Sequence, residues 1–396
     1  MQKKIAITGM GIISSIGNTV EENFQSLIAK KAGISSLENF SSRHSDEIKV
    51  GEIKWTNEQL IQKLGLSAEN TFTRTALLGA YAARQAIENA QISEINEVRT
   101  GLISSTSVGG MDFTEKHFKR YEEHPEYIPF INSHNAGDSS GKIASYLGLK
   151  GFVTTISTAC SSAANAIMMG ATMIENGYLD RVIVGGTDAL SKFTINGFKT
   201  LMILSETDNT PFDQNRKGLN LGEAAAYLVL ESEEMVHRHN KQVLAYVVGY
   251  GNANDAYHQT ASSENGEGAY LAMKKAFEKA AVQPDEINYI NAHGTATPNN
   301  DLSEGRAILR VFDKIPKFSS TKAFTGHTLA AAAAIEAVYS VLAIQNNTVF
   351  PNLNFKTPME EFHLTPETKV IAAEINYVLS NSFGFGGNCS TLIFGR

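Results

Sequence analysis

Three residues stand out as able to do covalent chemistry: Cys160, His293 and His327. Cys160 lies in TTISTACSSAANAIMMGA, where a β-branched run gives way to a helix-forming run of small residues. A thiol at such a bend faces unsatisfied backbone N–H groups and the positive end of the helix dipole, which favour the thiolate. Its neighbours Ala159, Ser161, Ser162, Ala163 and Ala164 are small and leave room for an acyl group. The same bend can offer backbone donors to an oxyanion, an arrangement common among acyl-transfer enzymes. A lone cysteine is more often a small buried hydrophobe, so the reading rests on its company. His293, in NAHGTATPNND, follows a predicted strand and precedes Gly294; His327, in STKAFTGHTLAAAAAIE, opens a predicted helix. Either histidine alone reads as a cap or a surface residue. Two in matching glycine-flanked settings, with a cysteine at an elbow, point to catalysis.

Competing chemistries fit the spacing less well. The cysteine and the histidines are far apart, with no CxxC or HxxxH, which speaks against a metal site. No GxSxG occurs and the candidate nucleophile is sulfur, which disfavours a Ser-His-Asp hydrolase and suits thioester exchange. Gly9, Gly11 and Gly17 follow a first strand expected over residues 3–8, but they do not spell GxGxxG. With 34 Lys and Arg against 41 Asp and Glu, a net charge of -7, the chain lacks the basic surplus of a nucleic-acid binder. An acidic partner would have to meet a local basic patch. No apolar run approaches the roughly 20 residues that span a bilayer, and no signal-peptide pattern opens the chain, so a cytoplasmic location is the expectation. Cys160 and Cys389 are then expected as free thiols.

These residues need a scaffold, and strand-like and helical runs alternate along the whole chain. They include residues 73–90 (helix), TGLISS from 100 (strand), 160–177 (helix) and RVIVGG from 181 (strand). Such alternation predicts an α/β fold with buried, mainly parallel strands. A second set echoes the first: VLAYVVGYGNAND from 243, a helical run from 269, INYINAHGT from 287, an alanine-rich helix from 326 and YVLSNS from 377. Two similar halves are expected, 1–240 carrying the nucleophile and 241–396 carrying both histidines, related by a pseudo-twofold. The polar and aromatic stretch 111–150 reads as an insertion over one edge.

Long motifs in a fixed order carry a family likeness: STACSS, GGTDA (185–189), PFDQNRKGLNLGEAAA (211–226), AHGTATPNND, STKAFTGHTLAAAAAIE and NSFGFGG (381–387). On these the chain resembles the β-ketoacyl-acyl-carrier-protein synthases of the thiolase superfamily, nearly end to end, and most of all the elongating enzymes of type II fatty-acid and polyketide synthesis. The resemblance implies a thiolase-like duplicated five-layer αβαβα fold and a ping-pong decarboxylative condensation. Cys160 would accept an acyl group from a thioester. His293 and His327 would stabilise the enolate left when malonyl-acyl-carrier protein loses carbon dioxide. Backbone N–H groups of Cys160 and Phe385 would hold the acyl-transfer oxyanion, with the Phe385 ring as a gate. Lys322 would orient His327; Glu336 would bind Lys322 or join Asn291 and the Ser380 carbonyl around a structural monovalent cation. Thr295 and Thr297 would bond the phosphopantetheine arm of the carrier protein, Phe383 would contact substrate, and Val108 would line an acyl pocket across a dimer. No cofactor would be required. The partners implied are an acyl carrier protein, acyl and malonyl thioesters, and a second subunit, identical or related.

Three departures from the usual motifs stand out: GEAAA at 222–226, the alanine run 330–334, and NCS at 388–390. Methyl groups in place of glycine hydrogens are expected to narrow packing or shift an acyl pocket, as in an enzyme specialised for polyene, pigment or polyketide chains. Residues 64–73, LGLSAENTFT, lack the basic residues that relatives often carry for docking the carrier. A non-catalytic chain-length-factor-like partner would lack Cys160, and a coenzyme-A-dependent thiolase would lack the second histidine.

Overall fold

The computed structural model describes residues 5–396. Ten strands form one mixed sheet: β1 (Ile5–Ser14), β2 (Thr100–Ser105), β3 (Val153–Ile156), β4 (Arg181–Asp188), β5 (Ala224–Ser232), β6 (Ala245–Asn254), β7 (Tyr289–Asn291), β8 (Lys317–Ser319), β9 (Tyr377–Phe383) and β10 (Asn388–Gly395). Their order is β8-β7-β9-β10-β6-β1-β5-β4-β2-β3. Counted outward from the β1–β6 seam, the first five strands run first, fifth, fourth, second, third, and the last five repeat that order. The expected mainly parallel sheet is in fact mixed. β2 pairs in parallel with β3 and β4, and β7 with β8 and β9, whereas β4–β5, β5–β1, β1–β6, β6–β10 and β10–β9 are antiparallel. The reason is local at β9 and β10: four residues join them, enough for a reversal but not for a crossover.

Six helices cover this sheet: α1 (Arg74–Asn89), α2 (Ala136–Tyr146), α3 (Ser162–Glu175), α4 (Glu267–Ala280), α5 (Pro298–Val311) and α6 (Ala332–Asn346). Strand alternation sorts them into layers. Ala224, Ala226, Leu228 and Leu230 of β5 pack into a central cluster with α3 and α6, while Ala225, Tyr227 and Val229 face an outer cluster with α1 and α2. In the second set, Val378 of β9 and Leu392 of β10 face the same central cluster, and Leu379 and Ile393 face α4 and α5. The two five-strand halves of the sheet thus share the central helices, and the layers are helix, sheet half, central helices, sheet half, helix. Leu329–Asn346, which includes α6, is long and apolar enough to cross a membrane by length and composition, but 89% of it is buried as this central layer.

The first strand is longer than the sequence suggested and runs through Gly9 and Gly11; Lys3 and Lys4 lie outside the described residues. These glycines serve packing, not a phosphate turn. A Cβ on Gly9 would sit 2.3 Å from the Ala86 carbonyl oxygen of α1, and one on Gly11 would sit 2.1 Å from that of Ala82. β6 repeats the device, with Gly249 against Ala276 and Gly251 against Ala272 of α4, at 2.5 and 2.2 Å. The stretch 111–150 is largely helical, with Met111–His117, Ile128–Asn132 and α2. Phe113 stacks on Phe130 at 4.8 Å there, and on His117 at 5.8 Å.

A methyl group at Gly11 has backbone on its far side and cannot be absorbed by a rotamer change. Gly11→Ala is expected to lower stability by about 1–3 kcal/mol, the usual range for overpacking. A thermal or denaturant midpoint equal to that of the parent would show that α1 is free to move off β1.

Candidate active site

Cys160 stands just after β3 and ahead of α3, whose N-cap is Ser161. The bend requires Ala159 at φ +53°, a left-handed conformation that costs a non-glycine residue roughly 1 kcal/mol or more. Side-chain bonds hold it: Thr158 N–H donates to Ser162 Oγ at 2.8 Å, and that hydroxyl donates to the Ala159 carbonyl at 2.5 Å. Across the cavity, the β9–β10 loop closes on the elbow. A Cβ on Gly384 would lie 2.8 Å from the Thr158 carbonyl oxygen and 3.2 Å from the Cys160 nitrogen, so only glycine allows the approach. The backbone N–H groups of Phe385 and Cys160 both bear on the sulfur.

His293 follows β7. Its N–H and that of Gly294 donate to the two oxygens of Glu304 at 2.9 and 2.8 Å, and Asn381 Nδ2 donates to the same carboxylate at 3.1 Å. Burial pushes Glu304 up to about 7 against these bonds. Glu304 was not among the residues expected from sequence. Its signal was present: Asp301 and Glu304 share a buried stripe of α5 with Ile308, where apolar residues would be usual. His327 is fixed by its backbone, donating to the Asn220 carbonyl at 2.7 Å and accepting from Gly222 N–H at 3.0 Å. Gly51 and Gly222 cradle the preceding turn; a Cβ on either would fall 1.8 or 2.1 Å from the Thr325 carbonyl oxygen.

The fold thus brings three distant residues together. Donor atoms of Cys160, His293 and His327 lie within 4.8 Å of one another, and all three are buried. The two imidazoles meet edge to face at 5.4 Å between centroids. Sequence spacing therefore does not argue against a metal; the Lys322 ammonium beside His293 does, because it would repel a divalent ion.

Lys322 differs from expectation. Its Nζ lies 3.3 Å from His293 Nδ1 and pairs with Glu336 of α6, so it addresses the first histidine. Because β7 and β8 are parallel neighbours, residues just past their ends, His293 and Lys322, come side by side. The turn Lys322–Thr325 and Gly326 at φ +73° then carry His327 away toward Asn220.

The electrostatics follow from burial beside one cation. Burial, then the Lys322 charge, hold both imidazoles well below the ordinary histidine range. Both rings are therefore neutral. Leu329 N–H donates to His327 Nδ1 at 3.2 Å and Lys322 to His293 Nδ1, so the proton of each ring belongs on Nε2. The thiol corrects the dipole argument: burial pushes Cys160 up to about 11, although Lys322 and the Phe385 and Cys160 N–H groups pull it down. Desolvation outweighs the helix end.

A cavity of about 310 Å³ opens over this cluster. Cys160, His293, His327, Thr295, Thr297, Phe383 and Phe385 line it. The Thr295 and Thr297 hydroxyls are 2.9 Å apart, and Thr297, though the N-cap of α5, makes no side-chain cap. Phe385 stacks on Phe198, 6.0 Å between centroids, another lining residue not foreseen. Among the described residues, Val108 does not line this cavity; it follows β2 beside Ser107, whose N–H bonds Asp188. Of the departures from the usual motifs, Ala224–Ala226 and Ala330–Ala334 are core residues away from the cavity, whereas Cys389 lines it. Asn291 and Ser380 are register partners on β7 and β9. Among the described residues, Asn291 Oδ1 has no hydrogen-bond partner, and Glu336 Oε2 has none of ordinary geometry, although the Ser382 hydroxyl bears on that carboxylate.

Residues 2–235 match the family Beta-ketoacyl synthase, N-terminal domain, and residues 244–356 match Beta-ketoacyl synthase, C-terminal domain. The 3-oxoacyl-[acyl-carrier-protein] synthase 2 of Staphylococcus aureus is 35% identical over 99% of this chain and 98% of its own length. Among solved structures, the ishigamide ketosynthase/chain length factor superposes with a TM-score of 0.93 at 29% identity, covering all of both chains. A ketosynthase in complex with its chain length factor from Xenorhabdus doucetiae gives 0.84 at 31% identity, covering 99% of this chain and 98% of the other. Family matches on both halves of the sequence, full-length relatives and a superposable thiolase-like architecture place this chain in the beta-ketoacyl synthase family.

Proposed function

We propose that the chain catalyses decarboxylative condensation of an acyl thioester with malonyl-acyl-carrier protein, giving a 3-oxoacyl-acyl-carrier protein through an acyl-Cys160 intermediate. The observation that carries this reading is the convergence of one thiol and two neutral imidazoles within 4.8 Å. In the first half-reaction, Cys160 sulfur attacks the thioester carbonyl, the oxyanion is held by the Cys160 and Phe385 N–H groups, and the carrier thiol leaves with the proton. In the second, the malonyl thioester oxygen accepts from both Nε2–H groups, carbon dioxide departs, and the electron pair it leaves forms an enolate. That carbon attacks the acyl-cysteine carbonyl, and the Cys160 sulfur leaves as thiolate and takes one proton from water, matching the negative charge that the malonyl carboxylate brought in. Neutral imidazoles suit this task, since they donate hydrogen bonds without having to lose a charge.

The remaining roles are proposals on the same footing. Thr295 and Thr297 bond the phosphopantetheine arm in the cavity, the Phe385 ring gates it against Phe198, and Phe383 contacts substrate. Residues 1–240 and 241–396 act as two halves, each supplying part of the site. The buried oxygens of Asn291 and Glu336, with the Ser380 carbonyl, would hold a monovalent cation, which would supply fixed positive charge behind Lys322. The acyl carrier protein delivers both substrates, and a second subunit, identical or chain-length-factor-like, completes the acyl pocket at Val108. The location is cytoplasmic, where those substrates are made. In a heterodimer this chain would be the catalytic member, since it keeps Cys160 and both histidines.

Intact-protein mass spectrometry after incubation with acyl-carrier protein should show one acyl adduct, absent in Cys160→Ala; an adduct persisting in that variant would overturn the nucleophile. His293→Ala and His327→Ala should still acylate but lose condensation by about 10²–10³-fold, as on removing an oxyanion donor. Condensation at the parental rate in either would refute its enolate role. The rate of Cys160 alkylation by iodoacetamide should rise about tenfold per pH unit through pH 9 without a plateau, because the thiol titrates near 11. Lys322→Ala should slow it further at each pH. A plateau below pH 8 would mean that the helix end overrides desolvation.

A further inference from the structure

Resting on the acyl-transfer reading above, the geometry points to Asn388 as the positioning residue that holds the Phe385 N–H in register with Cys160. The two oxyanion donors come from segments more than 200 residues apart. The Phe385 side has little stiffness of its own: Gly384, Gly386 and Gly387 surround it, with Gly386 and Gly387 at φ +81°. The loop is closed at its base by Gly384 N–H on the Asn388 carbonyl at 2.9 Å; its far side is tied by Gly386 N–H to the Gln259 carbonyl at 2.7 Å and by Asp255 N–H to the Gly387 carbonyl at 2.8 Å, so Asn388 is the tether on the nucleophile side.

The anchor lies on the nucleophile side. Asn388 Oδ1 accepts from Ser161 Oγ at 2.7 Å, Asn165 Nδ2 at 2.9 Å and Asn252 Nδ2 at 2.9 Å. Ser161 is the residue after the nucleophile, and its single hydroxyl proton is shared between Asn388 Oδ1 and the Thr158 carbonyl, also 2.7 Å away; Asn165, on the first turn of α3, donates to Thr158 Oγ1 at 2.8 Å. Asn252 comes from β6, and Ser390 Oγ closes the group by bonding Asn165 Oδ1 at 3.0 Å. One acceptor oxygen therefore ties the loop to both flanks of the elbow. An acceptor oxygen is required there, because the two amide groups converging on it can only donate and the Ser161 hydroxyl is oriented to do so. This gives the NCS departure at 388–390 a function that neither core packing nor the reaction scheme supplies.

A loop displaced by even 1 Å costs on the order of a hundredfold in a preorganised site. Asn388→Leu keeps the shape and removes the acceptor. It should slow acyl transfer to Cys160 about 30- to 100-fold in kcat, with KM for the acyl thioester unchanged within about threefold. The alkylation profile of Cys160 should move to higher pH, since the Phe385 N–H that favours the thiolate is withdrawn. Asn388→Thr, which restores an acceptor oxygen, should recover acylation to within about fivefold of the parent. Ser161→Ala, a minimal change that leaves the fold intact, should show the same two effects at about three- to tenfold. Parental acylation in Asn388→Leu, equal losses in the Leu and Thr variants, or a loss confined to KM would each overturn the clamp. A parent that takes up no acyl group would instead sink the condensation reading, and the alkylation profiles of the parent and Asn388→Leu would still decide the clamp.

Discussion

One buried ion pair sets the chemistry of the cavity: Lys322 on Glu336, both almost completely withdrawn from water. Placing an ammonium in such a region is costly unless its partner and hydrogen bonds are in place, and Glu336 comes from the central helix α6, buried from Ala332 to Ile344. From that position the cation does three things. It occupies His293 Nδ1, lowers the proton affinity of both imidazoles, and opposes the desolvation that keeps the Cys160 thiol protonated. Remove the charge and the tautomer of His293 and the balance of the thiol change together.

The rest of the architecture delivers groups to that cation. Cys160, His293 and Lys322 all stand just beyond the ends of strands β3, β7 and β8, and Phe385 stands between β9 and β10. Repeating one strand order about the β1–β6 seam puts the exit of one set of strands against the exit of the other, with α3 and α6 between them. Close approaches make this possible. Gly384 lets the β9–β10 loop touch the elbow, Gly222 and Gly51 admit the turn before His327, and the glycines of β1 and β6 let α1 and α4 lie directly on the sheet.

The departures from the family motifs divide along the same lines. The alanines of β5 and of the Ala330–Ala334 run thicken the core without lining the cavity over Cys160, so they bear on packing density more than on what that cavity admits. The change at 388–390 lies at the elbow itself, where Asn388 gathers donors from α3 and β6 and Cys389 lines the cavity. Whatever distinguishes this enzyme's acyl transfer is more directly tied to that segment than to the alanines.

The sequence alone picked out the residues proposed for the reaction centre. A thiol at a strand-to-helix bend, two glycine-flanked histidines and a glycine-rich loop are local patterns, and local backbone geometry follows from them. The repeat of strands and helices in the second part of the chain was likewise readable from periodicity. Tertiary structure decided which groups meet. That Lys322 bonds His293, 29 residues before it in the chain, although His327 is its near neighbour in sequence, follows from parallel pairing of β7 with β8, which no spacing along one segment encodes. Glu304 and the Asn388 cluster escaped notice because a carboxylate or an amide on a buried face acquires meaning only when donors from other elements converge on it. The balance at the thiol was not legible for the same reason: the helix end is visible in sequence, but the desolvation that pushes Cys160 up is set by everything packed around it.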